Sequence, residues 1–149
     1  MKILLAIDGS KFSDAALEFV LSQNRPGESQ VRVLHVVEPI ALTMPLAMAG
    51  GYVPELDKLQ HEQVRQAGEL VNRAADKLRA AGFQVDTVVH QNNARISIID
   101  LASDWPADLI VLGSHGRKGM DRFFLGSVSE FVARHASCSV EIVRIPRNR

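Results

Sequence analysis

Residues 107–144 read ADLIVLGSHGRKGMDRFFLGSVSEFVARHASCSVEIVR. The unbroken aliphatic run at 109–112 has the pattern of a strand covered on both faces. Val128, Phe131, Val132 and His135 then recur at helical spacing, and a second aliphatic run returns at 140–145. Strand, helix, strand in so short a span is a crossover unit, and crossovers demand parallel pairing with helices over the sheet. Working outward, the same kind of run recurs at 3–7, 31–37 and 85–89. Helical stripes lie between them: Ala15, Ala16, Phe19, Val20; then Leu56, Leu59, Ala67, Leu70, Val71, Ala74, Leu78; then Ile98, Leu101, Ala102, Trp105. Gly82 is placed to end the longest of these as its C′ residue. Right-handed crossovers leave a doubly wound sheet as the expected topology, and a closed eight-stranded barrel needs far more chain. The expected fold is therefore α/β over residues 1–149, one domain. It is a doubly wound, Rossmann-like sheet of five parallel strands in the order 3-2-1-4-5, with helices on both faces.

Composition narrows the class. At 149 residues, 46% apolar and 23% charged, the chain has the balance of a globular protein. Lys plus Arg and Asp plus Glu each total 17, so the basic excess of a general nucleic-acid binder is missing and no nucleic-acid partner is expected. No apolar run suits a membrane span or a signal peptide core, so no membrane partner and a cytoplasmic location are expected. Cys138, the single cysteine, allows neither an intramolecular disulfide nor a thiolate cluster and reads as a small buried hydrophobe. Residues 38–54 (EPIALTMPLAMAGGYVP) break the rhythm with three prolines and paired glycines. A loop of this kind serves as a lid or binding element, or has no role.

In open parallel sheets, ligands bind beyond the carboxyl ends of the strands where strand order reverses. The first strand exits into Asp8-Gly9-Ser10, and the fourth into Gly113-Ser114-His115-Gly116. Further on, Ser127 with Glu130 forms a capping-box pattern after Gly126, which predicts a helix start. Such a start offers free amides and a positive dipole end for phosphate, and a glycine lets backbone approach an anion closely. Against this, each glycine could shape a turn only, Ser127 could only cap, and Asp8 ahead of Gly-Ser could be turn chemistry. A P-loop and a dinucleotide fingerprint are both ruled out by glycine placement. His35, His90 and His115 fall near strand ends, but their wide spacing does not resemble a zinc motif. Ser127, His115 and Asp8 lack the nucleophile elbow of a hydrolase triad.

Gly113-Ser-His-Gly116, nine residues, then Gly126-Ser127 matches the G-2x-G-9x-G-(S/T) motif of the ATP-binding universal stress proteins. KILLAIDGS, VLHVVEP, ADLIVLGSHG and LGSVSEFVARHASCSVEIVR carry the resemblance over essentially the whole chain. It implies that Ala6, Ile7 and Asp8 face the adenosine, with Asp8 near the ribose or adenine. Val36 would meet the adenine through its backbone. Leu112, Gly113, His115 and Gly116 would run along ribose and phosphates. Gly126, Ser127, Val128 and Ser129 would hold the phosphates. The implied cofactor is ATP, with Mg²⁺ bridging its phosphates. The terminal strand, 139–145, would join a partner's edge in a homodimer, although Arg144, Arg147 and Arg149 could equally solubilise a monomer's tail. One departure stands out: relatives carry a glycine and a proline in the turn after the third strand, where this chain has Asn92-Asn93-Ala94. The function implied is a nucleotide-dependent sensor or regulator in the stress response. The alternatives are a slow ATP hydrolase or phosphotransferase using His115, and a nucleotide-independent dimeric interaction protein.

Overall fold

The computed structural model describes residues 1–40, 54–117 and 124–146. Five strands, β1 (Lys2–Ala6), β2 (Gln30–Val37), β3 (Gln84–Gln91), β4 (Leu109–Gly113) and β5 (Ser139–Val143), form one sheet. Its order is β3-β2-β1-β4-β5 and every pairing is parallel, as the sequence predicts. Helices α1 (Lys11–Gln23), α2 (Pro54–Ala80), α3 (Ala94–Asp104) and α4 (Ser127–His135) make the crossovers. The expectation of a lid or idle loop falls mostly on 41–53, which lie outside the described residues.

The central strands are aliphatic throughout because both faces are covered. Alternate residues divide between two cores. Ile3, Leu5, Val31, Val33 and Val111 point to the face under α1 and α2, with Ala16, Val20, Val71 and Leu78. Leu4, Leu34, Ile110 and Leu112 point to the other face, under α3 and α4, with Ile98, Leu101 and Val132. Each fully buried Leu, Ile or Val stabilises the fold by about 1.5–3 kcal/mol relative to an exposed one. Cys138 is half-buried at the margin of the second core, where partial burial raises the thiol's pKa.

α2 ends as its sequence predicts. Gly82 takes φ +94°, its N–H donates to Arg79 O at 2.9 Å, and Phe83 N–H donates to Leu78 O at 3.1 Å. Those two bonds are a Schellman close, which favours a residue without Cβ. At Asn92-Asn93-Ala94 the turn leads into the helix through a cap. Asn93, in extended backbone, accepts from the N–H groups of Arg95 and Ile96 and starts α3.

Candidate functional site

Strand order reverses at β1, between β2 and β4, and a cleft opens beyond the carboxyl ends of these three strands. Counting its mouth, it encloses about 510 Å³. β1 and its exit contribute Ala6, Ile7 and Asp8, and β2 contributes Val36. β4 and its exit contribute Leu112, Gly113, His115 and Gly116, and α4 contributes Val128 and Ser129. Gly126 and Ser127 do not line the cleft; they stand just ahead of these last two, at the start of α4. Four lining residues escaped the sequence reading of the site: Ser13, Leu34, His35 and Ala94. In the sequence His35 reads only as a metal candidate, and Leu34 reads as core. Nothing local marks Ser13 or Ala94, which reach the cleft because α1 and α3 begin there.

Asp8 is held firmly. Its Oδ1 accepts the Ser10 N–H at 2.9 Å, the local turn chemistry. Its Oδ2 accepts the Arg117 N–H at 3.0 Å, and the Arg117 side chain also donates through Nε to the Asp8 carbonyl. A carboxylate has about four acceptor positions, so each oxygen keeps capacity for a hydroxyl. A Cβ on Gly116 would lie 2.9 Å from Asp8 Oδ2, so glycine there lets the two exits approach.

The glycines at 113 and 126 serve packing. A Cβ on Gly113 would fall 2.6–2.7 Å from the backbone of Phe12, because the first turn of α1 rests against the end of β4. A Cβ on Gly126 would lie 3.1 Å from His115 Cα and 3.2 Å from Ser114 O. The Gly126 N–H donates to Ser114 O at 2.8 Å, so it is already used. The buried Ser129 hydroxyl reaches both Ser114 O, at 2.9 Å, and Gly126 O, at 3.0 Å. These bonds dock the start of α4 onto the β4 exit.

That docking moves the helix start from its predicted place. Gly126, not Ser127, is the N-cap, with no side-chain cap bond, and its carbonyl takes the Glu130 N–H at 2.9 Å. Ser127 is the first helical residue and is exposed, and Glu130 pairs with Arg134 instead of closing a capping box. The contrast with its neighbours is sharp. Ser10 caps α1 through its hydroxyl and Asn93 caps α3 through its carboxamide. The first amides of α4, at Ser127, Val128 and Ser129, have no intrahelical acceptor and no side-chain cap among the described residues, and carry the positive end of the helix dipole.

The two cleft histidines differ. His35 Nδ1 lies 2.6 Å from Ile7 O, and because a carbonyl only accepts, Nδ1 carries the proton and Nε2 the lone pair of the neutral ring. Burial lowers its pKa, with the Ile7 bond opposing and Arg117 adding to the fall. His115 Nδ1 contacts the Ser114 hydroxyl at 3.0 Å, its ring meets Phe12 at 5.1 Å, and its buried Nε2 has no hydrogen-bond partner among the described residues. His90 sits on β3 outside the cleft lining, and no group of three metal-ligating side chains occurs among the described residues. No described helix is long and apolar enough to cross a membrane.

The family model described as "Universal stress protein family" matches residues 1–144. The universal stress protein YxiE of Bacillus subtilis is 31% identical, the match covering 96% of this chain and 98% of that one. Among solved structures, protein MJ0577 of Methanocaldococcus jannaschii superposes with a TM-score of 0.84 at 24% identity, over 99% of this chain and 97% of its own. A universal stress protein family protein from Arabidopsis thaliana, solved with AMP bound, superposes with a TM-score of 0.67 at 18% identity, over 98% and 92%.

Proposed function

This chain belongs to the universal stress protein family, and from that premise we propose that it is an adenine-nucleotide-binding sensor or regulator with ATP as its ligand. The observation that carries the reading is the start of α4: alone among the helix starts α1, α3 and α4 it lacks a side-chain cap, and it opens onto the cleft at the sheet's reversal point. An anion supplies what the missing cap does not. The nucleoside lies along Ala6–Asp8, Val36 and Leu112, with Asp8 accepting ribose hydroxyls. The phosphates run past Gly113, His115 and Gly116 to the amides of Ser127, Val128 and Ser129. The buried Nε2 of His115, without a partner among the described residues, is a polar group that a bound ligand can satisfy. Mg²⁺, where it takes part, rides on the phosphates, since it needs only one or two protein oxygens. In the same reading residues 1–149 are one functional unit in the cytoplasm, and the outer edge of β5, where the sheet ends, is the seam of a homodimer. The AMP found in the Arabidopsis relative fits this class of ligand.

Isothermal calorimetry of nucleotide-free protein with ATP tests the proposal. The expected affinity is micromolar to sub-millimolar, roughly 5–8 kcal/mol of binding free energy. Asp8→Ala should weaken it about tenfold, the worth of a charge-assisted hydrogen bond. No heat and no thermal shift at millimolar ATP would retire the reading.

A further inference from the structure

On the face covered by α1 and α2, behind the turn that joins β1 to α1, lies a second groove. Its apolar wall is Ile7, Leu17, Leu70 and Ala74, and its rim carries Asp14 from α1 and Arg73 and Lys77 from α2. Counting its mouth it encloses about 450 Å³, close to the cleft's 510 Å³. Leu17 and Ala74 are 5% exposed and Ile7 is 7% exposed, so these wall residues present a small part of their surface to the groove.

The rim cations differ from Arg65 and Arg79 on the same helix. Arg65 is held by Glu62 and Glu69, and Arg79 by Asp76. Arg73 and Lys77, one turn apart and so on one side of α2, have no carboxylate within ion-pair distance among the described residues. Asp14, across the groove, is likewise unpaired there. Two cations without a carboxylate partner among the described residues, against one carboxylate, leave a positive rim above an apolar wall. Charge complementarity selects an anion, and the wall selects an apolar body.

We propose that this groove is an effector site for a small aliphatic carboxylic acid. The carboxylate sits between Arg73 and Lys77, and the aliphatic body lies on Leu17, Leu70, Ala74 and Ile7. Ile7 and Ser13 line both this groove and the cleft, and Leu70 is 3.6 Å from where a Cβ on Gly9 would sit. An occupant therefore bears on the turn that positions Asp8. The acid and the nucleotide then change each other's affinity by the same factor. This coupling rests on the nucleotide reading; the groove itself does not.

Octanoate titrated into the full chain without nucleotide, followed by amide NMR shifts, is the direct probe. Saturable shifts centred on Ser13, Asp14, Leu70, Arg73 and Lys77 are expected, with none from octanol. Arg73→Gln and Lys77→Gln should each bind octanoate about tenfold more weakly. Both positions are exposed, and an unchanged thermal transition shows that the variants fold. Shifts that fail to saturate, that map elsewhere, or that both variants retain in full overturn the site. ATP titrated with and without saturating octanoate should then show an affinity change of about fivefold or more. An unchanged ATP affinity overturns the effector role. A wild type that binds no ATP overturns the nucleotide reading and the coupling with it, while the octanoate titration still decides the groove.

Discussion

The two ends of the sheet are built on opposite principles. At the amino end, several charged side chains are engaged with one another or with an aromatic ring. Arg32 makes a two-pronged bond to Asp86, at 2.9 and 2.7 Å, with its guanidinium 4.5 Å above the ring of Trp105. Lys2 Nζ lies 5.5 Å from the same ring, while the Lys2 backbone N–H donates to Asp108 at 2.6 Å. At the carboxyl end, α1 and α3 begin with caps from their own side chains, and α4 begins without one. The difference follows from the crossovers. Each helix must start where a strand ends, so amide donors and positive dipole ends collect at one edge and carbonyls at the other. The amino end spends its side chains on stability, and the carboxyl end holds donors in reserve.

That division can be broken by experiment. The largest effect is expected from Trp105→Ala, which removes the ring beneath both cations and should cost about 3–5 kcal/mol in urea unfolding. ATP affinity should stay within about twofold, and a larger change would show that the two ends are not separate. Gly113→Ala comes next. Its new Cβ meets Phe12 backbone, so about 1–3 kcal/mol of stability should go. Calorimetry should show weaker ATP binding alongside, because α1 and the β4 exit are forced apart. Unaltered binding would detach the cleft from that contact.

The cleft should also carry its own pH signature. Burial holds His35 below its ordinary 6.5, so on acidification the unfolded chain takes up the proton first. Stability from this residue is then complete above about pH 6.5 and drains away as pH falls toward the lowered value. Urea unfolding repeated across that window should give a shallower slope for His35→Gln, and equal slopes would remove His35 from the acid response. The smallest effect is expected from Asp86→Asn. That pair is partly exposed, 21% at Arg32 and 43% at Asp86, so the loss should be about 1 kcal/mol or less and should shrink further in salt. A cost as large as that of Trp105→Ala would mean that the ion pair, not the ring, holds the amino end together.

Much of the site's location is legible from residues alone. The exits Asp8-Gly9-Ser10 and Gly113-Ser114-His115-Gly116 follow aliphatic runs, so a parallel sheet with its reversal at the first strand brings them together. What each residue does there is far less legible. The Ser127–Glu130 pattern satisfies the capping rule, yet Gly126 caps, because its amide and the Ser129 hydroxyl both reach Ser114 O. Gly126 and Gly113 read as places for a ligand to approach, and only the structure shows that backbone also approaches backbone there. Arg117, which ties down Asp8 from more than a hundred residues away, gives no local sign of that role.

The sequence by itself determined the alternation of strand and helix, the parallel sheet and its two-faced core. Those depend on hydrophobic period and on crossover handedness, which neighbouring residues encode. Only the tertiary structure decided which amides at the carboxyl edge find acceptors among the described residues. A hydrogen bond is consumed by whatever donor arrives, and Ser129 and Gly126 reach Ser114 only after β4 and α4 have docked.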